Sequence, residues 1–162
     1  MMNPDLVWPP LFQALHLFGL LIWIGPSLGG YYILLVARRS GDPKLAAWAR
    51  RRWQTILNVE HLGLALVLAS GLARAAALGW LAHPAAWLTL KLILVGWVVL
   101  PIEVADILLA NALVQPALAH GGGSPELARR LAWQDRLTAR SILPLVLALI
   151  GIVYLVVWKP VW

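Results

Sequence analysis

The chain of 162 residues holds few groups that can move a proton or bind a metal: four histidines, seven carboxylates and three lysines, with no cysteine. Without thiols, thiolate metal sites, iron–sulfur clusters, disulfides and c-type haem attachment are excluded. His16 lies in an apolar stretch, Phe12-Gln13-Ala14-Leu15-His16-Leu17-Phe18-Gly19, that continues to Trp23-Ile24-Gly25-Pro26. A histidine in a lipid-facing helix must turn its ring nitrogens away from hydrocarbon, so it is a candidate ligand or hydrogen-bonding group facing a neighbouring helix. Its structural alternative is a bond to that helix's backbone or to Gln13. Lys91 is compositionally odd, because arginine fills the loops and a buried ammonium costs several kcal/mol unless paired. It calls for a carboxylate, a haem propionate, a substrate acid group or an iron, or else snorkels to the interface.

Two levels of polar residues follow. His16, Lys91, Arg74 and the loop residue His83 form an outer group. Asn58, Glu60, His61, Glu103 and Asp106 form an inner one, where hard oxygens and an imidazole suit Zn, Mn or Fe, proton uptake, or ion pairing with Arg136, Arg140 or the first-loop arginines. Arg74 suits a carboxylate such as a propionate, since a guanidinium binds it bidentately. His83 and His120 read as solvated loop residues. By helical rise His16 and His61 are separated by about 15–20 Å along the membrane normal, too far to be two axial ligands of one haem.

The elements that must position these groups are membrane helices. The chain is 61% hydrophobic and 12% charged with a mean hydropathy of +0.79, outside the range of soluble domains. Four apolar runs are long enough to cross a bilayer, at about 11–37, 55–75, 85–114 and 141–158. The expectation is all-α: a single transmembrane domain over 1–162 forming an integral membrane four-helix bundle, with a short amphipathic helix at about 125–139 in the third loop. That helix follows the flexible break Gly121-Gly122-Gly123-Ser124-Pro125. Trp8, Trp48, Trp53, Trp80, Trp133, Trp158 and Trp162 fall near helix ends or in loops, as an interfacial belt requires.

The net charge of +6 comes mainly from arginines in two loops and is not a nucleic-acid signal. Arg38, Arg39, Lys44, Arg50, Arg51 and Arg52 fill the first loop; Arg129, Arg130 and Arg136 fill the third. Positive loops stay in the cytoplasm, which puts both termini outside a prokaryotic inner membrane. No Lys or Arg precedes the first apolar run, so that run is expected to be retained rather than cleaved. On the first helix His16, Gly19, Trp23, Pro26 and Gly30 share one face, and glycines allow close approach of a helix, a flat cofactor or a second copy of the chain.

The pattern Phe12-x-Ala14-Leu15-His16-Leu17-x-Gly19-x-x-x-Trp23, with Trp87-Leu88-x-x-Lys91-Leu92-x-x-Val95 and, more loosely, Ser70-Gly71-Leu72, resembles the membrane haem proteins that include HemJ-type protoporphyrinogen oxidases and copper-resistance-D-like proteins. The resemblance implies b-type haem within the bundle, His16 as a haem ligand, and Lys91 as a ligand, propionate partner or substrate-acid partner. Trp23 joins the cofactor-binding candidates through the same motif. The chain differs from HemJ-type enzymes at Tyr32, Ala37, Glu60-His61 and Pro101-Ile102-Glu103, which marks a divergent member. A haem-dependent oxidoreductase or electron-transfer module is the first expectation, with a redox partner or quinone. A metal-ion transporter using the inner cluster is the second; only Met1 and Met2 are present, which disfavours a soft Cu(I) path. The third is a non-catalytic assembly subunit whose cationic loops contact membrane lipid.

Overall fold

A computed structural model describes residues 4–119 and 124–159, so His120, the Gly121–Gly123 break and Trp162 lie outside the described residues. Every regular element among the described residues is helical. Four helices are long and apolar enough to cross a membrane. The chain divides into two compact units, residues 1–82 and 83–162.

The first unit is an antiparallel hairpin of α1 (Pro4–Arg39) and α2 (Pro43–Ala77). The turn between them is short because each residue in it has a bonding role. Ser40 donates its hydroxyl to the Ala37 carbonyl at 2.7 Å, and Gly41 takes the left-handed φ of +74° that side chains resist. Asp42 then caps α2 by accepting from the amides of Lys44 and Leu45, with Pro43 in the first helical turn. The arginine-rich stretch read as a first loop is therefore mostly helix. Ala, Leu and Arg are strong helix formers, and a search for apolar runs is blind to a charged helical extension.

Glycines set the spacing of the two helices. A Cβ on Gly63 would lie 2.5 Å from the Trp23 amide nitrogen, and one on Gly19 would lie 3.0 Å from that of Val67. At the turn end, Gly30 lies against the Trp53 ring, where a Cβ would come within 3.1 Å, and Tyr31 leans on the same indole with centroids 5.7 Å apart. Trp53 is only 3% exposed, so it is a core residue and not part of an interfacial belt. Trp8, Trp48, Trp133 and Trp158 are exposed, as belt residues would be. The α2 terminus closes with Gly79 at φ +69° and the Trp80 amide returning to the Ala75 carbonyl at 2.9 Å, the paired-bond stop that glycine permits.

The second unit pairs a broken helical rod, residues 86–119, with α6 (Pro125–Trp158). The rod contains α3 (Ala86–Leu94), a π segment Val95–Val99, α4 (Leu100–Ile107), a second π segment Leu108–Val114, and α5 (Gln115–Ala119). Each π segment precedes a proline. The rings of Pro101 and Pro116 would clash with the carbonyls of Trp97 and Ala112 four residues back, and both carbonyls lie in the widened turns.

α6 runs unbroken for 34 residues, so the expected surface helix and fourth span are one element. Ser124 caps it by accepting from the Leu127 amide. Next to the cap, hydrogen bonds from Arg130 and Arg129, both 2.7 Å from the Glu126 carboxylate, hold that carboxyl below its usual range. Arg130 also donates to the Leu113 carbonyl at 2.9 Å, which ties α6 to the second π segment.

Candidate functional site

His16 sits on the α1 face that meets α2, half-buried. Its Nδ1 lies 2.8 Å from the Val67 carbonyl oxygen and 3.5 Å from Ser70 Oγ. A carbonyl oxygen can only accept, so Nδ1 carries the proton in this bond, and in the neutral ring the lone pair resides on Nε2. This is the bond to the neighbouring helix's backbone that the sequence offers as the structural alternative to ligation; a bond of this kind also fixes the tautomer and plane of imidazoles that do ligate. Ser70 is itself held by donating to the Leu66 carbonyl at 2.5 Å. The Nδ1–Cε1 edge of the ring abuts Gly71, where a Cβ would meet Cε1 at 2.9 Å and Nδ1 at 3.0 Å.

One turn beyond Gly71, Arg74 lies at the same end of the hairpin. Its Nη2 donates to Gln13 Oε1 at 3.3 Å, and its guanidinium stands 5.1 Å from the Trp80 ring centroid. Thus Gln13 serves Arg74, while His16 takes the backbone. Two cationic or imidazole groups, a hydroxyl and an indole are brought to one end of α1 and α2, an assembly suited to an iron ligand and a carboxylate. Trp23 is buried two turns further along α1, with its backbone against Gly63.

Glu60 is 7% exposed and His61 half-buried, both on α2. Because His16 is level with Val67 to Gly71, His61 lies about 9–15 Å from it along the axis. The two histidines occupy different levels of the hairpin.

Lys91, Glu103 and Asp106 belong to the second unit, with Glu103 buried and the other two half-buried. A plain helix would place Lys91 and Glu103 about 120° apart. The intervening π segment absorbs one extra residue and brings them to about the same face. His83 is exposed. Among the described residues, no three or more His, Asp and Glu side chains gather closely enough to hold a metal ion. Of the residues expected to form a second metal site, Glu60 and His61 lie in the first unit and Glu103 and Asp106 in the second.

The sequence reading passed over the Val67 carbonyl, which no side-chain pattern signals, and the role of Gly71 as a seat for an imidazole. It also passed over Gln54 and Gln134, which are buried although they fall in stretches read as polar and wet. No family model, characterised protein or solved structure matches the chain.

Proposed function

We propose that this chain is a membrane-integral b-type haem protein, an oxidoreductase or electron-transfer module with His16 as an axial ligand. The observation that carries the reading is the 2.8 Å bond from His16 Nδ1 to the Val67 carbonyl, which commits the opposite nitrogen to a lone pair. Gly71 supports it by seating the imidazole, since a Cβ there would meet Cε1 at 2.9 Å and displace the ring. Haem, when bound, supplies a one-electron iron couple tuned by its axial ligand, burial and nearby charge.

The residues of the chain have separate tasks in this reading. Val67 and Ser70 hold the imidazole plane, so the ring meets its ligand without losing rotational freedom at that moment. Arg74, poised by Gln13 and Trp80, pairs with a propionate or a substrate acid. The resemblance adds Lys91 as a further ligand or acid partner. Glu60, His61, Glu103 and Asp106 serve as proton-exchanging groups for the redox reaction. The clustered arginines support a reading in which these groups face the cytoplasmic side of a prokaryotic cell membrane and both termini lie outside.

The test is the reduced-minus-oxidised visible spectrum of the detergent-purified protein, expressed with ample haem, beside His16→Ala and Lys91→Ala. A b-type Soret and α-band lost in His16→Ala is the expected result. A colourless wild-type protein overturns the reading.

A further inference from the structure

The face of α2 turned away from α1 carries a feature that the haem reading does not use. Trp48, Arg51, Arg52 and Thr55 line a shallow surface cavity, at helical spacings of three and four residues. All four are exposed. The Arg52 guanidinium stands 6.0 Å from the Trp48 ring centroid, and Thr55 donates to the Arg51 carbonyl at 3.3 Å, which anchors the floor. No carboxylate lies on this face. Asp42, at the preceding turn, is engaged in capping the helix.

The same face continues along α2 through Val59, 43% exposed, and Leu62, 71% exposed. At about 100° per residue Trp48, Arg52, Thr55, Val59 and Leu62 form one stripe. Its order is two guanidiniums and an indole, then a hydroxyl, then bare aliphatic surface. A free phosphate would use the first part only. A lipid with an anionic headgroup uses all of it, with the phosphodiester on Arg51 and Arg52, the glycerol region beside Trp48 and Thr55, and an acyl chain along Val59 and Leu62. Depth is consistent with this order: α2 has 35 residues, about 52 Å, whereas the hydrocarbon core is about 30 Å thick, so its first turns stand in the headgroup layer.

We propose that this stripe is a seat for one anionic phospholipid of the leaflet at the turn end of the hairpin. The inference rests on the reading of α2 as membrane-spanning and is independent of haem. Each basic side chain near a membrane surface favours anionic lipid, and two together give about a tenfold or greater preference.

Native mass spectrometry of the full chain in detergent, titrated with phosphatidylglycerol, tests the seat. Phosphatidylcholine and inorganic phosphate provide the comparisons. Wild type is expected to retain phosphatidylglycerol about tenfold more tightly than Arg51→Gln/Arg52→Gln. Arg38→Gln/Arg39→Gln, which removes the same charge outside the seat, is expected to bind as wild type does. Equal binding by wild type and the Arg51/Arg52 variant overturns the seat, as does equal weakening in both double variants. Displacement of the lipid by inorganic phosphate identifies a free-anion site and overturns it too. Alkaline carbonate extraction of the membrane-expressed chain separates the premises: release into the soluble fraction overturns the spanning reading itself, whereas retention with no lipid preference overturns the seat alone.

Discussion

His16 on α1 and Gly71 on α2 are in direct contact, so closely that a methyl group on Gly71 would lie 2.9 Å from His16 Cε1. The bond from His16 Nδ1 to the Val67 carbonyl and the contact with Gly71 both engage the Nδ1–Cε1 edge of the ring. Gly71→Ala must therefore push the imidazole off its acceptor. The expected outcome is a loss of about 1–3 kcal/mol of stability, as for other overpacked sites, seen as a lowered thermal midpoint in detergent. In the haem-loaded protein the Soret band is expected to shift or weaken. A variant with wild-type stability and spectrum would mean that the contact does not constrain the ring.

Gly63 and Gly25 offer a paired test of the hairpin. A Cβ on Gly63 meets backbone atoms of Trp23 and Ile22 at 2.5 and 2.9 Å, and backbone cannot rotate aside. At Gly25 there is nothing within 4 Å. Gly63→Ala is expected to lower the midpoint well below that of wild type. Gly25→Ala is expected to be neutral or to stabilise by up to about 1 kcal/mol through helix propensity. Equal effects at the two sites would contradict the packing of α1 on α2.

These contacts show what the sequence could convey. The shared face of His16, Gly19, Trp23 and Gly30 was legible, because helical periodicity depends only on residue spacing, and that face does meet α2. The ends of α2 and α6 were not, since hydropathy marks apolar runs and both helices begin in charged turns set by caps at Asp42 and Ser124. The π segments had a signal, Pro101 inside the third apolar run and Pro116 just past its expected end, yet proline alone reads as a kink and not as a widened turn. For His16 the residue type gave its need for a partner. The partner itself is a carbonyl, which every residue has.

The second π segment depends on a side chain from α6. Arg130 donates to the Leu113 carbonyl at 2.9 Å, and Arg130→Met retains the aliphatic stem while removing the donor. The expected outcome is a local loss of about 1 kcal/mol, read as faster hydrogen exchange within Leu108–Val114 and unchanged exchange in α2. Uniform acceleration across the chain, or none, would deny the bond a local role.

The start of α6 is predicted to respond to acid. Arg130 and Arg129 hold the Glu126 carboxyl below its ordinary value, so its folded pKa is lower than its unfolded one. The stability it adds is present above the unfolded carboxylate range and is lost as pH falls through the folded pKa. Amides of Leu127 and Ala128 are therefore expected to exchange faster, relative to the rest of α6, only in acid. Glu126→Gln is expected to remove that pH dependence. An acid response that persists in the variant would assign it to another group.

Arg74 and His16 are expected to fail differently when replaced. His16 is proposed to touch iron, so His16→Ala would remove the b-type bands themselves. Arg74 reaches Gln13 through Nη2 and stacks near Trp80, an arrangement that aims a guanidinium at a carboxylate without involving the imidazole. Arg74→Ala is expected to weaken haem retention by about tenfold, the scale of one charge-assisted hydrogen bond, with band positions unchanged. Arg74→Lys keeps the charge but loses the bidentate fork, so it should recover part of that retention. Haem titration of the apoprotein followed at the Soret band measures all three. Unchanged affinity in Arg74→Ala would confine Arg74 to clamping the ends of α1 and α2, and a shift in its α-band would place it closer to the iron than a propionate partner can be.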